Sequence, residues 1–390
     1  MERRNRMLIA TITPLEPLIA RDSRPFGSGS AHDMKCLDWF YPSVSAGTIR
    51  TLTGKRLNLS FKDPDTCKML KSISVHGPLP CSLEDKGGLF FSAPRDILIY
   101  RKEEKLSWTA LRPEPLKEGE GCTIPSGLHP VTVKEEIKPE SGPSLWSAKS
   151  IIAWLTEETG SLYIPEKESS SDDFLYPLKK DERTHVKIDP DLGSAEEQML
   201  FATEGLVFPQ NLGMAVKITT DNEKVNSTLK AMTHIHQIGG EHRLAHFRQE
   251  TSSQWDCPQD VAKALSGRQK IRMILATPAL FKNGWLPGWL DPKTMEGAPL
   301  KLSSSAIRLK LTGACVERWK PISGWSLEPL KSTGKAGPKA LRRLVPAGSV
   351  YFFEVIAGES SALENLWLQP VCDDDQDCRD GFGLSLWGTW

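Results

Sequence analysis

The chain has 390 residues with 49 basic and 49 acidic side chains, so its formal net charge is zero. That balance excludes a globally basic nucleic-acid binder, and any surface for a polyanion has to be a local patch. Hydrophobic content of 39% and charged content of 25% are ordinary for a soluble fold with room for two cores, and no stretch approaches the ~18 uninterrupted apolar residues of a membrane span.

Eight cysteines are scattered without a Cys-x-x-Cys pair. This usage fits a reducing cytoplasm better than a disulfide framework or a structural zinc site. The basic start, Met1 to Arg6, runs into a strand-like stretch and not into a secretory apolar core.

Met7 to Thr13 predicts a buried first strand, ended by Pro14 and Pro17. Arg21 and Arg24 follow on a proline-bounded loop. Their guanidinium forks suit phosphate, or they pair with Asp22 or Asp33. Tyr41 to Gly54 predicts a helix with Ser45 as N-cap and Val44, Ile49, Leu52 and Leu57 as its apolar face. Gly47 lies near that helix start, and Arg50, Lys55 and Arg56 would project toward solvent or a ligand. Gly54-Lys55 lacks the earlier glycine of a P-loop.

Residues 72–80 and 88–101 read as further strands. Between Pro113 and Pro143 six prolines and many charges replace periodicity, which predicts a long loop or an insertion. Ser147 caps a helix through Glu158, with Ile151, Trp154 and Leu155 facing a core. Strands 183–189, 202–208 and 213–218 open a second β-rich region, and a short helix spans Gln259 to Leu265. Lys270 to Thr277 is another buried strand, and its sequel through Pro287 echoes the stretch from Ile9 to Gly27. Strands at 308–316 and 345–356 complete an α+β layout, divided into residues 1–182 and 183–390.

Two features near the end point to a polyanion. Lys331 to Arg343 holds five Lys or Arg and no acid, with Lys335, Lys339, Arg342 and Arg343 among them. Gly381-Phe382-Gly383 then starts a charge-free tail in which glycines admit close approach to the backbone. The alternative is a lysine-rich loop beside a tight barrel corner.

His234, His236, His242 and His246 form the densest histidine cluster, but Gly239-Gly240 interrupts it and no His-Glu-x-x-His is present. Those two glycines, before Glu241 and Arg243, suit a loop held close to a neighbouring backbone. His185 is either a structural histidine on a strand or a general acid or base for RNA cleavage. The acidic run Cys372 to Cys378 lacks the ligand spacing of a calcium loop. Trp285, Trp289, Trp319, Trp325, Trp387 and Trp390 are core residues or stacking platforms for bases. No metal or cofactor is expected.

Six stretches occur in a telling order: Pro17 to Phe26, Pro42 to Arg50, Gly239 to Arg243, Thr277 to Pro287, Val345 to Phe352 and Gly381 to Gly383. Together they resemble the third-subunit family of type III-B CRISPR Cmr effector complexes, within the repeat-associated mysterious protein (RAMP) superfamily. The resemblance implies two ferredoxin-like, RRM-related modules with antiparallel sheets and long inserted loops. It implies a non-catalytic, cytoplasmic subunit of a hetero-oligomer that seats the repeat-derived 5′ tag of the CRISPR RNA. Its implied neighbours are the large polymerase-like subunit and the backbone RAMP subunit. The tag-contacting candidates it implies are Arg21, Arg24, the Ser45–Gly47–Arg50 helix start, Arg243, the 331–343 loop and the Gly381–Gly383 turn. The competing function within the superfamily is a metal-independent repeat-RNA endonuclease using His185 or His242 and His246.

Overall fold

The first strand, Arg6–Pro14, is apolar on both faces: Leu8, Ala10 and Ile12 point one way, Ile9 and Thr11 the other, and all are buried. Such a strand belongs in the middle of a covered sheet. In the computed structural model it pairs antiparallel with Leu212–Thr220 on one side and Leu244–Glu250 on the other. The model describes residues 6–22, 24, 33–84, 88–133, 136–167, 169, 171–230, 232–250, 254–303, 306–326 and 334–390.

Ser74–Ser82 and Thr233–Gln237 complete this first sheet as its two edges. Helix Pro42–Arg56 connects its first strand to Ser74–Ser82, and helix Glu223–Lys230 follows Leu212–Thr220. The second sheet repeats the plan. Lys270–Leu275 lies between Val350–Ala357 and Leu384–Thr389, and Arg308–Cys315 pairs with the far side of Val350–Ala357. In both sheets the four principal strands therefore lie in the spatial order fourth, first, third, second. The two stretches that echo each other in sequence follow the first strand of each sheet.

The sheets do not separate at residues 182 and 183. The first sheet takes strands from both sides of that expected boundary, because the long excursion 83–211 leaves between its second and third strands and the chain then returns to it. The excursion carries helix Ala148–Thr156, which starts where expected: Ser147 caps it by accepting from the Ser150 N–H at 3.3 Å. Its inward residues Ile151, Trp154 and Leu155 enter the core of the second sheet beside Met273, Phe353 and Trp387.

Hydrogen-bonded charges reinforce that contact. Arg272, whose side chain has no exposed surface, donates to Asp96 at 2.7 Å and to Glu157 at 3.0 Å. The Trp154 indole N–H donates to Asp96 at 2.9 Å, and the Arg272 guanidinium lies 5.0 Å from the Trp154 ring. The insertion is thus packed into the second core, which also takes in Ile9, Leu79 and Ala215 from the first sheet. The other face of the first sheet packs Leu8, Val75 and Val216 against Ile49, Leu52 and Val225 of its helices.

One helix begins earlier than its sequence suggests. Pro42, not Ser45, opens helix Pro42–Arg56, and Tyr41 occupies the N-cap without a side-chain hydrogen bond. Proline's fixed φ suits the first helical turn. Ser45 is fully buried inside that turn, donating to the Pro42 carbonyl at 3.0 Å.

Two β-hairpin extensions leave this frame. Lys180–Ile188 and Ala195–Leu206 form a ribbon that is largely exposed toward its tip, with Val186, Ile188 and Leu192 open to solvent. His185 sits on it, stacked on Phe201 at 5.1 Å with its Nε2 2.9 Å from Thr203 Oγ1. The second extension, here called the finger, lies between Arg308–Cys315 and Val350–Ala357. Among the described residues no helix is long and apolar enough to cross a membrane.

Candidate nucleic-acid interface

The finger consists of two short ladders. Lys320–Ile322 pairs with Arg342–Leu344, and Trp325–Ser326 pairs with Gly337–Pro338. Alternation along so short a ribbon leaves most side chains in water. Arg318, Trp319, Lys320, Trp325, Lys335, Lys339, Arg342 and Arg343 are all exposed, Trp319 by 42% and Trp325 by 64%. The Arg343 guanidinium lies 4.8 Å over the Trp319 ring. Lys339 is held by its backbone N–H, which donates to the Gly324 carbonyl at 2.7 Å. Lys331 to Thr333 of the expected basic loop lie outside the described residues.

Arg342 has a different task. It donates to both oxygens of Asp377 at 2.9 and 2.7 Å and ties the finger base to helix Asp375–Asp380. Burial pushes the Asp377 carboxyl above the usual carboxylate range, against the opposing hydrogen bond from Arg342.

The finger base borders two cavities, and Glu317 and Leu344 line both. The larger, of about 730 Å³, opens between the two sheets. Its walls include Trp39 and Tyr41 ahead of the first helix, Thr277 and Pro278, Pro346 and Ala347, and Lys320 of the finger. Two of the six loose sequence stretches, Thr277 to Pro287 and Val345 to Phe352, therefore meet at one cleft, beside the residues that lead into a third. Trp39 is fixed there by its indole N–H, which donates to the Pro78 carbonyl at 3.0 Å. Burial, helped by Asp22 and Asp38, pushes the Tyr41 hydroxyl up to about 12, which keeps it protonated.

The remaining candidates divide by what they already hold. Arg21 is exposed and bridges to Cys36 across the loop. Arg24 is 73% exposed and pairs with Asp22 at 2.9 Å, the ion-pair alternative that the sequence leaves open. Gly47 is exposed, with no atom near the place of a Cβ.

Arg50 does not project toward solvent. It donates to Asp380 at 2.5 Å and to the Ile73 carbonyl at 2.7 Å, and joins the first helix to the C-terminal one. Arg243 donates to Glu16, whose carboxyl this hydrogen bond and the Leu244 N–H hold below the usual carboxylate range. The adjacent Gly239 has φ of +76°, and a Cβ there would run into the Ile19 carbonyl oxygen. That oxygen accepts from the Gly240 N–H at 2.8 Å. The double glycine is held against a neighbouring backbone, as its sequence suggests.

The C-terminal turn is closed rather than open. Gly381, Phe382 and Gly383 are buried. Gly381 has φ of +92°, and a Cβ on it would stand 2.5 Å from the Val75 carbonyl oxygen of the first sheet. Thr277 donates to the Gly381 carbonyl at 2.8 Å, and the Gly383 N–H donates to the Pro278 carbonyl at 2.8 Å. The close approach anticipated for a sugar-phosphate chain is made by the protein's own strand. Ser45, Arg50, Arg243 and the 381–383 turn are thus occupied with packing or pairing inside the chain.

Arg318, Lys320, Trp39 and Tyr41 join the candidates through the cavities that they line. For the first two the signal was legible, since Arg318-Trp319-Lys320 alternates cation and aromatic ahead of a short strand. Trp39 and Tyr41 gave no signal apart from the cleft. Among the described residues no group of three or more His, Cys, Asp or Glu is arranged to hold a metal ion.

The family model for CRISPR-associated protein (Cas_Cmr3) matches residues 10–390. No curated protein sequence matches the chain. Similar solved structures include a chain of the type III-B Cmr-beta complex bound to cognate target RNA, at 16% identity and TM-score 0.47, covering 88% of this chain and 86% of that one. A second, from Cmr-beta with cognate target RNA and AMPPnP, has 14% identity and TM-score 0.47, covering 92% and 88%. A third, from the Csm3–Csm4 subcomplex of a type III-A interference complex, has 13% identity and TM-score 0.39, covering 90% and 94%.

Proposed function

Because the chain belongs to the Cas_Cmr3 family of CRISPR-associated proteins, we propose that it is a non-catalytic guide-RNA-binding subunit of a type III-B Cmr ribonucleoprotein. In this reading it seats the repeat-derived 5′ tag of the CRISPR RNA on the finger and in the adjoining cleft. It also bridges the large polymerase-like subunit to the backbone RAMP subunit. Each sheet, by its strand order, is read as one ferredoxin-like module.

The observation that carries the reading is the finger: exposed Lys335, Lys339 and Arg343 together with exposed Trp319 and Trp325, on a ribbon whose base lines a cleft through Lys320 and Leu344. Single-stranded RNA is held by cations along its backbone and aromatic faces under its bases, without any reacting group. A chain of zero net charge needs such a local site, since its overall field attracts no polyanion.

The repeat-cleaving alternative needs two acid–base groups converging on one phosphate. His185 is instead stacked on Phe201 and bonded to Thr203 on an extended ribbon, which favours a structural role. The test is binding and cleavage of a repeat-derived RNA by the assembled complex. Binding that falls with the finger cations, and no cleavage lost in His185→Ala, His242→Ala or His246→Ala, supports the proposal. Cleavage abolished by one histidine change would overturn it.

A further inference from the structure

The smaller cavity, of about 540 Å³, also borders the finger base. One wall is the proline-rich segment of the insertion, through Ile124, Leu128 and Val131, and the other is the second sheet and finger, through Trp285, Val316 and Trp319. That segment is fixed, not loose. Arg112–Pro113 pairs with Val131–Thr132, and the His129 N–H donates to the Thr312 carbonyl at 2.7 Å. Gly313 admits Pro113 so closely that a Cβ there would stand 2.9 Å from the proline ring.

Trp285 is equally rigid: its ring stacks on Tyr351 within 9°, and the Tyr351 hydroxyl donates to the Trp285 carbonyl. The cavity is therefore preformed, with two indoles among its lining. Its size falls in the range of small-molecule sites, about 300–1,000 Å³.

Charge identifies the occupant. Arg318 and Arg343 stand at the exposed edge of this apolar space, and the acid beside them, Glu317, pairs away with Arg95 at 3.2 Å. A flat apolar ring with a phosphate attached matches both halves of the site, stacking on indole and meeting guanidinium. An aliphatic or neutral ligand would bring no charge to Arg318 or to Arg343, whose guanidinium already lies over the Trp319 ring. We propose that this cavity receives one unstacked nucleobase of the bound guide strand, with the neighbouring phosphate on Arg318 and Arg343. The proposal rests on the RNA-binding reading above, and it gives the proline-rich insertion a role, as the outer wall of a base pocket.

The test uses the full chain with synthetic guide strands carrying 5-iodouridine at one position at a time. One position should crosslink to the peptide holding Trp285 or Trp319. An abasic residue at that position should weaken binding about tenfold, the scale of one lost base stack. Val316→Trp, which fills the cavity, should abolish the adduct and make the abasic strand bind as well as the intact one. Lys335→Ala with Lys339→Ala should weaken all strands yet retain the adduct. The abasic comparison is made on the unaltered chain, so the proposal stays testable even if Val316→Trp folds poorly. Adducts on the finger with none on either indole peptide at any position would overturn the pocket and leave the RNA-binding reading standing. Adducts nowhere on the chain would sink both. Protection of residues 284–286 and 314–319 from hydrogen exchange when protein subunits assemble without RNA would assign the cavity to a peptide and overturn the base pocket.

Discussion

The finger and the C-terminal turn present the same problem with opposite outcomes. Both are short, glycine-containing segments beside strands of the second sheet, and both have the makings of a phosphate cradle. In the finger the cations and two tryptophans face water, and little of the chain packs over them. In the turn Gly381 to Gly383 are buried, and the backbone that comes close belongs to Val75, Gly77 and Cys372. Glycine reports that something approaches, but not what. Exposed charge is the better guide to an external ligand, because a buried turn has already spent its donors on its own chain. The turn joins the second sheet to the first, and the finger stays exposed.

That division can be broken or sharpened by substitution. Gly381→Val should have the largest effect, since it combines a left-handed backbone with a clash against Val75. A loss of about 2–5 kcal/mol in urea unfolding is expected. Unchanged stability with lost RNA binding would return the turn to the RNA.

Arg50→Ala comes next. It strands Asp380 in a pair whose side chains are 12% and 13% exposed. The cost should be about 2–4 kcal/mol, and a double-mutant cycle with Asp380→Ala should show coupling near 1–3 kcal/mol. Additivity in that cycle would deny the pair its role in joining the two helices.

Arg342→Ala separates the finger's anchor from its contacts. Without it Asp377 keeps a buried carboxyl short of its donor, and about 1–3 kcal/mol should be lost. Lys335→Ala, Lys339→Ala and Arg343→Ala together should leave stability within about 0.5 kcal/mol. The triple change should instead lower RNA affinity at least about tenfold, with the salt slope reduced by about 0.7 for each phosphate contact removed. Equal losses of stability in the two variants would merge the classes.

The smallest effect should be a pH dependence. Hydrogen bonds from Arg243 and the Leu244 N–H hold the Glu16 carboxyl below its ordinary value of 4.5. Its stabilisation is therefore full above 4.5 and fades as pH falls through the lowered folded value. Glu16→Gln should flatten the acid limb of a stability–pH curve by slightly lowering its neutral plateau, with almost no change at pH values below the lowered folded value.

Local pattern made much of this fold legible. The strands expected at 7–13, 270–277 and 345–356 form as Arg6–Pro14, Lys270–Leu275 and Val350–Ala357, read from apolar, β-rich runs, and Ser147 marked its helix start. Pairing did not read so well. Arg50 and Asp380 are 330 residues apart, and Arg243 and Glu16 are 227 apart. A sequence displays the two charges but not the fold that brings them together, so the ion pairs of Arg50 and Arg243 within the chain were not legible. Likewise the division at residue 182 followed composition, while the first sheet closes only when Leu212–Thr220 returns to it. The finger was legible as a basic run. Its tryptophans gained meaning only when the two ladders left them exposed.

The most direct test is to map where the 5′ end of the guide strand crosslinks on this chain in the assembled particle. The account predicts adducts within residues 318–326 and 334–344 and none within 381–383. Adducts on the glycine turn, with the finger unmarked, would contradict it.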